Sequence, residues 1–73
     1  MLGATADHPE VLCVAIRGRD FWLLEFRCPW CGRVHTHGGG PLEGAPDGGS
    51  RVSHCHAAGA PAGYDLVVGE LRP

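Results

Sequence analysis

Cys28-Pro29-Trp30-Cys31-Gly32-Arg33-Val34-His35-Thr36-His37 carries two cysteines and two histidines within ten residues. Two cysteines separated by two residues can hold one metal ion from a single tight turn, with both sulfurs pointing inward and a Zn–S distance of about 2.3 Å. Gly32 stands where such a turn needs a positive φ angle, which glycine adopts at least cost. Backbone N–H groups in the turn can point at the sulfurs and support the thiolate form. A second cluster, His54-Cys55-His56, answers the first further along the chain. C-x2-C followed by a His/Cys group reads as a zinc site rather than a disulfide framework. The expected cofactor is therefore Zn2+, in a structural role.

Working outward, residues 21–27 (Phe21-Trp22-Leu23-Leu24-Glu25-Phe26-Arg27) alternate as a strand does. Trp22, Leu24 and Phe26 fall on one face with Cys28 next in the series, and Phe21, Leu23, Glu25 and Arg27 fall on the other. The aromatic face thus runs straight into the metal site. Upstream, Val11 to Arg17 is short, apolar and β-branched, and reads as another strand. Cys13, in its middle, reads as a small buried hydrophobe. Arg17 to Asp20 reads as a turn, with Gly18 available for a left-handed position. Downstream, Val34 to His37 is expected as a short returning strand, Arg51 to His56 as a strand carrying the second ligand group, and Tyr64 to Leu71 as the last strand. Tyr64, Leu66 and Val68 alternate there against Asp65 and Val67. Residues 38–50 hold six glycines and two prolines, and are expected to form a flexible connecting loop. Residues 1–10 read as a loose N-terminus, and His8 as a solvated surface histidine. Residues 11–71 then form a single zinc-binding domain.

The expected fold class is a small, mostly-β, metal-stapled domain: an antiparallel, zinc-ribbon-like sheet of three to four short strands. At 73 residues the chain has little core to set against its conformational entropy. A structural zinc, which adds on the order of 10 kcal/mol, would decide whether it folds.

Cys28 and Cys31 are the firm ligand pair. The other two come from His35, His37, His54, Cys55 and His56. Adjacent strand residues face opposite sides, so Cys55 competes with the His54/His56 pair. With Cys55 inward, either His35 or His37 completes a Cys3His site. With both histidines inward the site is Cys2His2 and Cys55 is left as a loose thiol. Cys55 is favoured, because thiolate is the softer ligand and a free thiol beside zinc is an oxidation liability. Between His35 and His37 the pattern does not choose, since they share a face when extended.

The knuckle Cys28-Pro29-Trp30-Cys31-Gly32 resembles that of zinc-ribbon and rubredoxin-like proteins. With Arg33-Val34-His35-Thr36-His37-Gly38 and Arg51-Val52-Ser53-His54-Cys55, the chain is similar to small zinc-finger proteins of actinobacteria and phages. The resemblance spans roughly residues 22 to 68 and departs from the usual ribbon at His54-Cys55-His56, where a second C-x2-C is expected. It implies a ribbon-like fold and a zinc ion.

Composition narrows the function only in part. Lysine, asparagine and glutamine are absent and all six basic residues are arginine, a bias of GC-rich bacterial coding. The net charge of −2 supplies no global field toward nucleic acid. The first residues carry no basic, apolar leader pattern, no stretch reaches the length of a membrane span, and reduced thiols suit a cytoplasmic setting. A structural or protein-interaction module is the expected function, with an unidentified protein as partner and no small-molecule substrate evident. The alternative is a nucleic-acid-binding ribbon, in which Arg27, Arg33 and Arg51 contact phosphate and Trp30, at the tip of the knuckle, stacks on a base. Enzymatic use of an open zinc site is not expected, because no acid or base is placed to act at the metal.

Overall fold

A computed structural model describes residues 9–53 and 55–73. The expectations for residues 1–8, His8 included, and for His54 lie outside the described residues. Five strands and no helix make up the described chain: β1 (Glu10–Arg17), β2 (Phe21–Arg27), β3 (Val34–Pro41), β4 (Gly49–Val52) and β5 (Gly63–Arg72). They form one sheet in the order β3-β2-β1-β5-β4. Neighbouring strands are antiparallel except β1 and β5, which run parallel. The mostly-β class is thus as expected, while the sheet has five strands and one parallel pairing in place of an all-antiparallel ribbon.

β1 and β2 form by the patterns that the sequence carries. β2 buries Trp22, Leu24, Phe26 and then Cys28 on one side. β1 buries Val11, Cys13 and Ala15 on the same side. In the antiparallel register Ala15 faces Leu24, and in the parallel register Val11 faces Leu66. Tyr64 and Leu66 complete the core from β5, with Trp30, Leu42, Cys55 and Val68 packed against its margin. Cys13 is a core residue, 3% exposed. Residues 11–16 are continuously apolar, yet burial alternates along β1: Val11, Cys13 and Ala15 face the core while Leu12 is exposed on the other side.

The β1–β2 turn closes with the Gly18 N–H donating to the Phe21 carbonyl at 3.1 Å. Glycine is needed here for space and not for a left-handed backbone: Gly18 is not among the positive-φ glycines, and a Cβ would come within 2.5 Å of the Phe21 oxygen. The left-handed expectation for Gly18 is corrected accordingly.

Beyond His37 the structure differs from the sequence expectation. β3 continues through Gly38, Gly39 and Gly40 to Pro41, and β4 starts at Gly49, so only residues 42–48 connect them. Low β propensity is overridden by packing: at Gly39 a Cβ would lie 2.9 Å from Leu24 Cδ2 and 3.1 Å from Trp22 Cβ. Only a bare backbone can approach the core so closely. The Trp22 indole N–H donates to the Gly44 carbonyl at 2.9 Å and ties the connection down over the core.

β3 and β4 are the two edges of the sheet, which would stand about 19 Å apart if five strands lay flat. Instead the Asp47 N–H donates to the Gly39 carbonyl at 2.8 Å, and an Arg51 guanidinium N–H donates to the Gly38 carbonyl at 3.0 Å. The sheet is therefore curled until its edges meet. Arg51 also donates to the carbonyls of Asp47, Gly48 and Ser50. One planar fork of donors satisfies four main-chain acceptors along the seam, which suits arginine's geometry.

Replacing Arg51 with alanine is expected to destabilise the domain by about 1–2 kcal/mol, since charged hydrogen bonds are lost from a partly exposed seam. Lysine should recover little of this, because a point charge cannot reach four carbonyls. Urea denaturation of the folded protein checks it, and a change below a few tenths of a kcal/mol in both variants would contradict it.

Candidate metal centre

The turn between β2 and β3 is built around Cys28. Its N–H donates to the Arg33 carbonyl at 2.7 Å, and its carbonyl accepts from the Gly32 N–H at 2.8 Å. Gly32 takes the positive φ expected of it, +78°. The Trp30 N–H points at the Cys28 sulfur from 3.4 Å. Arg27 donates to the Gly32 carbonyl at 2.6 Å and braces the turn from outside.

This turn presents Cys28 and Cys31, β3 presents His35, and the loop after β4 presents Cys55. The Cys28 and Cys55 sulfurs lie 3.7 Å apart, and Cys31 Sγ lies 3.3 Å from His35 Nε2. All four ligand atoms fall within 4.8 Å of one another. A tetrahedral zinc with Zn–S of 2.3 Å and Zn–N of 2.0–2.1 Å has S···S edges of about 3.8 Å and S···N edges of about 3.6 Å. The Cys28–Cys55 and Cys31–His35 separations match the corresponding edges of that polyhedron within a few tenths of an ångström. The four residues could therefore hold a metal ion.

Charge supports the same reading. Burial acts to raise the Cys28 thiol, but hydrogen bonds from the Trp30 and Cys31 N–H groups and from the Cys31 and Cys55 thiols outweigh it and hold Cys28 below the ordinary thiol range. The N–H of Ala57 favours the Cys55 thiolate. Burial, hydrogen bonding to Cys28 and Cys31, and the Cys28 charge together outweigh it and push that thiol up. One negative sulfur is accommodated, and its charge opposes ionisation of Cys55. A divalent cation at the centre is what would let several sulfurs ionise together.

His37 is placed differently from His35. Its Nε2 lies 2.7 Å from the hydroxyl of Tyr64, which is 1% exposed, so it serves as a hydrogen-bond partner for a buried phenol. The Phe26 ring stacks with both histidines, with centroids 5.7 Å from His35 and 6.2 Å from His37, and meets Tyr64 edge-on at 5.3 Å. Trp30 stacks on Tyr64 at 6.1 Å. The site and the aromatic core are thus continuous. Burial raises the Tyr64 hydroxyl pKa, and the charges of Cys28 and Cys55 raise it further.

His56 is exposed and lines a cavity beside the four residues, outside their group. Residues 55 and 56 do not lie on a strand, so the alternation argument for Cys55 does not apply there. Of the residues singled out for nucleic acid, Arg33 is exposed beside the site. Arg27 and Arg51 are engaged with main-chain carbonyls. Trp30 is half-buried on Tyr64 rather than free at a tip. Sequence reasoning missed Tyr64 as part of the site's surroundings. The signal for it was the chain's single tyrosine at an inward position of β5, whose hydroxyl needed a partner.

If the cluster takes up added zinc, His35→Ala is expected to weaken its binding at least a hundredfold, whereas His37→Ala should retain the metal and lower stability by about 1–3 kcal/mol through the orphaned Tyr64 hydroxyl. Competition with a chromogenic chelator reads the first effect, and denaturation of the loaded protein reads the second. Loss of zinc from the His37 variant alone would reverse the assignment. No family model, no curated protein and no solved structure matches this chain.

Proposed function

We propose that Cys28, Cys31, His35 and Cys55 bind one zinc ion, and that the ion staples this chain into a structural or protein-interaction module. The observation that carries the proposal is the convergence of three sulfurs and one imidazole nitrogen, from three separate segments, within 4.8 Å. Four protein ligands close a tetrahedral site and leave no position for water or substrate, which is the arrangement of structural rather than catalytic zinc. The softness of three thiolates favours zinc over magnesium or calcium. No helix among the described residues is long and apolar enough to cross a membrane.

A role in docking protein is preferred to one in binding nucleic acid because of where the arginines and Trp30 are engaged. Arg51 is occupied along the sheet seam, Arg27 braces the knuckle, and the Trp30 ring packs on Tyr64. Single-strand binders need a groove of free cationic groups with open aromatic faces. The outward face of the sheet instead carries exposed apolar side chains, with Leu12 71% exposed beside its register partner Val67.

Removing zinc with a chelator at neutral pH should collapse the dispersed amide NMR spectrum, and restoring one equivalent should bring it back. A metal-free chain with native dispersion would overturn the structural role. Acid should release the ion, because ligand cysteine and histidine must bind protons to leave it. Metal-dependent stability is therefore present at neutral pH and lost as pH falls. Titration with short single- and double-stranded oligonucleotides at low salt should produce no saturable shifts at residues 27–37 and 51–56, and saturable shifts there would restore the nucleic-acid reading.

A further inference from the structure

We propose that Cys31 and Cys55 form an oxidisable pair, which a peroxide-class oxidant converts to a disulfide with expulsion of the zinc ion. The inference rests on the zinc reading above and adds a reaction to that site. Its basis is an asymmetry among the cysteines. Cys28 is 1% exposed and Cys13 3% exposed, whereas Cys31 is exposed and Cys55 half-buried. An open cavity of about 440 Å3 leads to the site, lined by Cys31, Arg33, His35, Cys55, His56 and Ala57. Two of the three ligand sulfurs therefore face an approaching small oxidant, while Cys28 lies behind them. The facing sulfurs are also within 4.8 Å of each other, inside the reach of a rotation about χ1.

The reaction balances without any group beyond the oxidant. The Cys31 sulfur attacks one peroxide oxygen, an S–O bond forms, the O–O bond breaks, and hydroxide leaves. The resulting sulfenic acid is a poor zinc ligand. The Cys55 sulfur then attacks the Cys31 sulfur, the S–S bond forms, and the S–O bond breaks with loss of a second hydroxide. Two sulfurs have lost two electrons, the peroxide has gained them, and two protons from solvent turn the hydroxides into water. The ion keeps only Cys28 and His35, half of a structural donor set, and departs. The new bond joins the knuckle to the loop after β4, two of the three segments that the zinc joined. Reduction by a dithiol reverses the step and restores the site.

The test starts from zinc-loaded protein whose metal content has been measured. Hydrogen peroxide is added in the presence of a chromogenic zinc chelator, and unreduced peptides are then mapped by mass spectrometry. The expected result is release of one zinc per chain, a fall from four free thiols to two, and a Cys31–Cys55 link. Dithiol treatment should then restore zinc binding. Cys13→Ala should release zinc at the wild-type rate. Cys31→His, which keeps a ligand but removes the exposed thiolate, should release it at least tenfold more slowly. Zinc that stays bound at peroxide levels that oxidise the denatured chain would overturn the inference while leaving the zinc site standing, as would a link through Cys28. A purified chain that neither carries nor takes up zinc would overturn the zinc reading itself, and is recognised before any oxidant is added.

Discussion

The Cys28 and Cys55 sulfurs approach to 3.7 Å at the point where the knuckle meets the far side of the sheet. This contact joins the turn after β2 to the loop after β4 across 27 residues of sequence. Thiols at this distance gain little from each other, and as thiolates they repel. A cation of charge +2 between them turns that repulsion into a cross-link. The aromatic core is assembled against this point: Phe26 lies against His35, Tyr64 lies against Phe26, and Trp30 covers Tyr64. Three sulfurs and an imidazole are thus gathered beside those rings. An ion held at this cluster would therefore couple metal binding to core packing, in a chain small enough for such a cross-link to matter.

The second constraint is closure of the sheet. A small sheet with two free edges exposes unpaired main-chain groups on both. Here the edges meet along Gly38, Gly39, Asp47 and Arg51, and the guanidinium supplies donors where the ladder cannot continue. The glycines of β3 are required by this closure. Gly39 sits against Leu24, and any side chain would push the edge away from the core. Curling also places the loop after β4 over the knuckle, so that closure and the metal site support each other.

Much of this was legible in the sequence, for local reasons. The alternation of Trp22, Leu24, Phe26 and Cys28 is a period-2 signal that tertiary structure had no reason to override. C-x2-C with Gly32 is a self-contained turn, and the buried Cys13 followed from its apolar neighbours. What was not legible depends on distant partners. The parallel β1–β5 pairing has no local signature. The strand through Gly38–Pro41 contradicts glycine's propensity and is explained only by Leu24 and Trp22 on the next strand. Arg51 and Trp30 look like free binding groups until the carbonyls of the seam and the ring of Tyr64 are in place. His35 and His37 are equivalent by alternation, and it is the position of Tyr64 that sets them apart.

X-ray absorption at the zinc edge reads the donor atoms of zinc-loaded protein without disturbing them. Three sulfurs at about 2.3 Å and one nitrogen at 2.0–2.1 Å are predicted. A shell of two sulfurs and two nitrogens, or one containing an oxygen from water, would contradict the closed three-cysteine, one-histidine site.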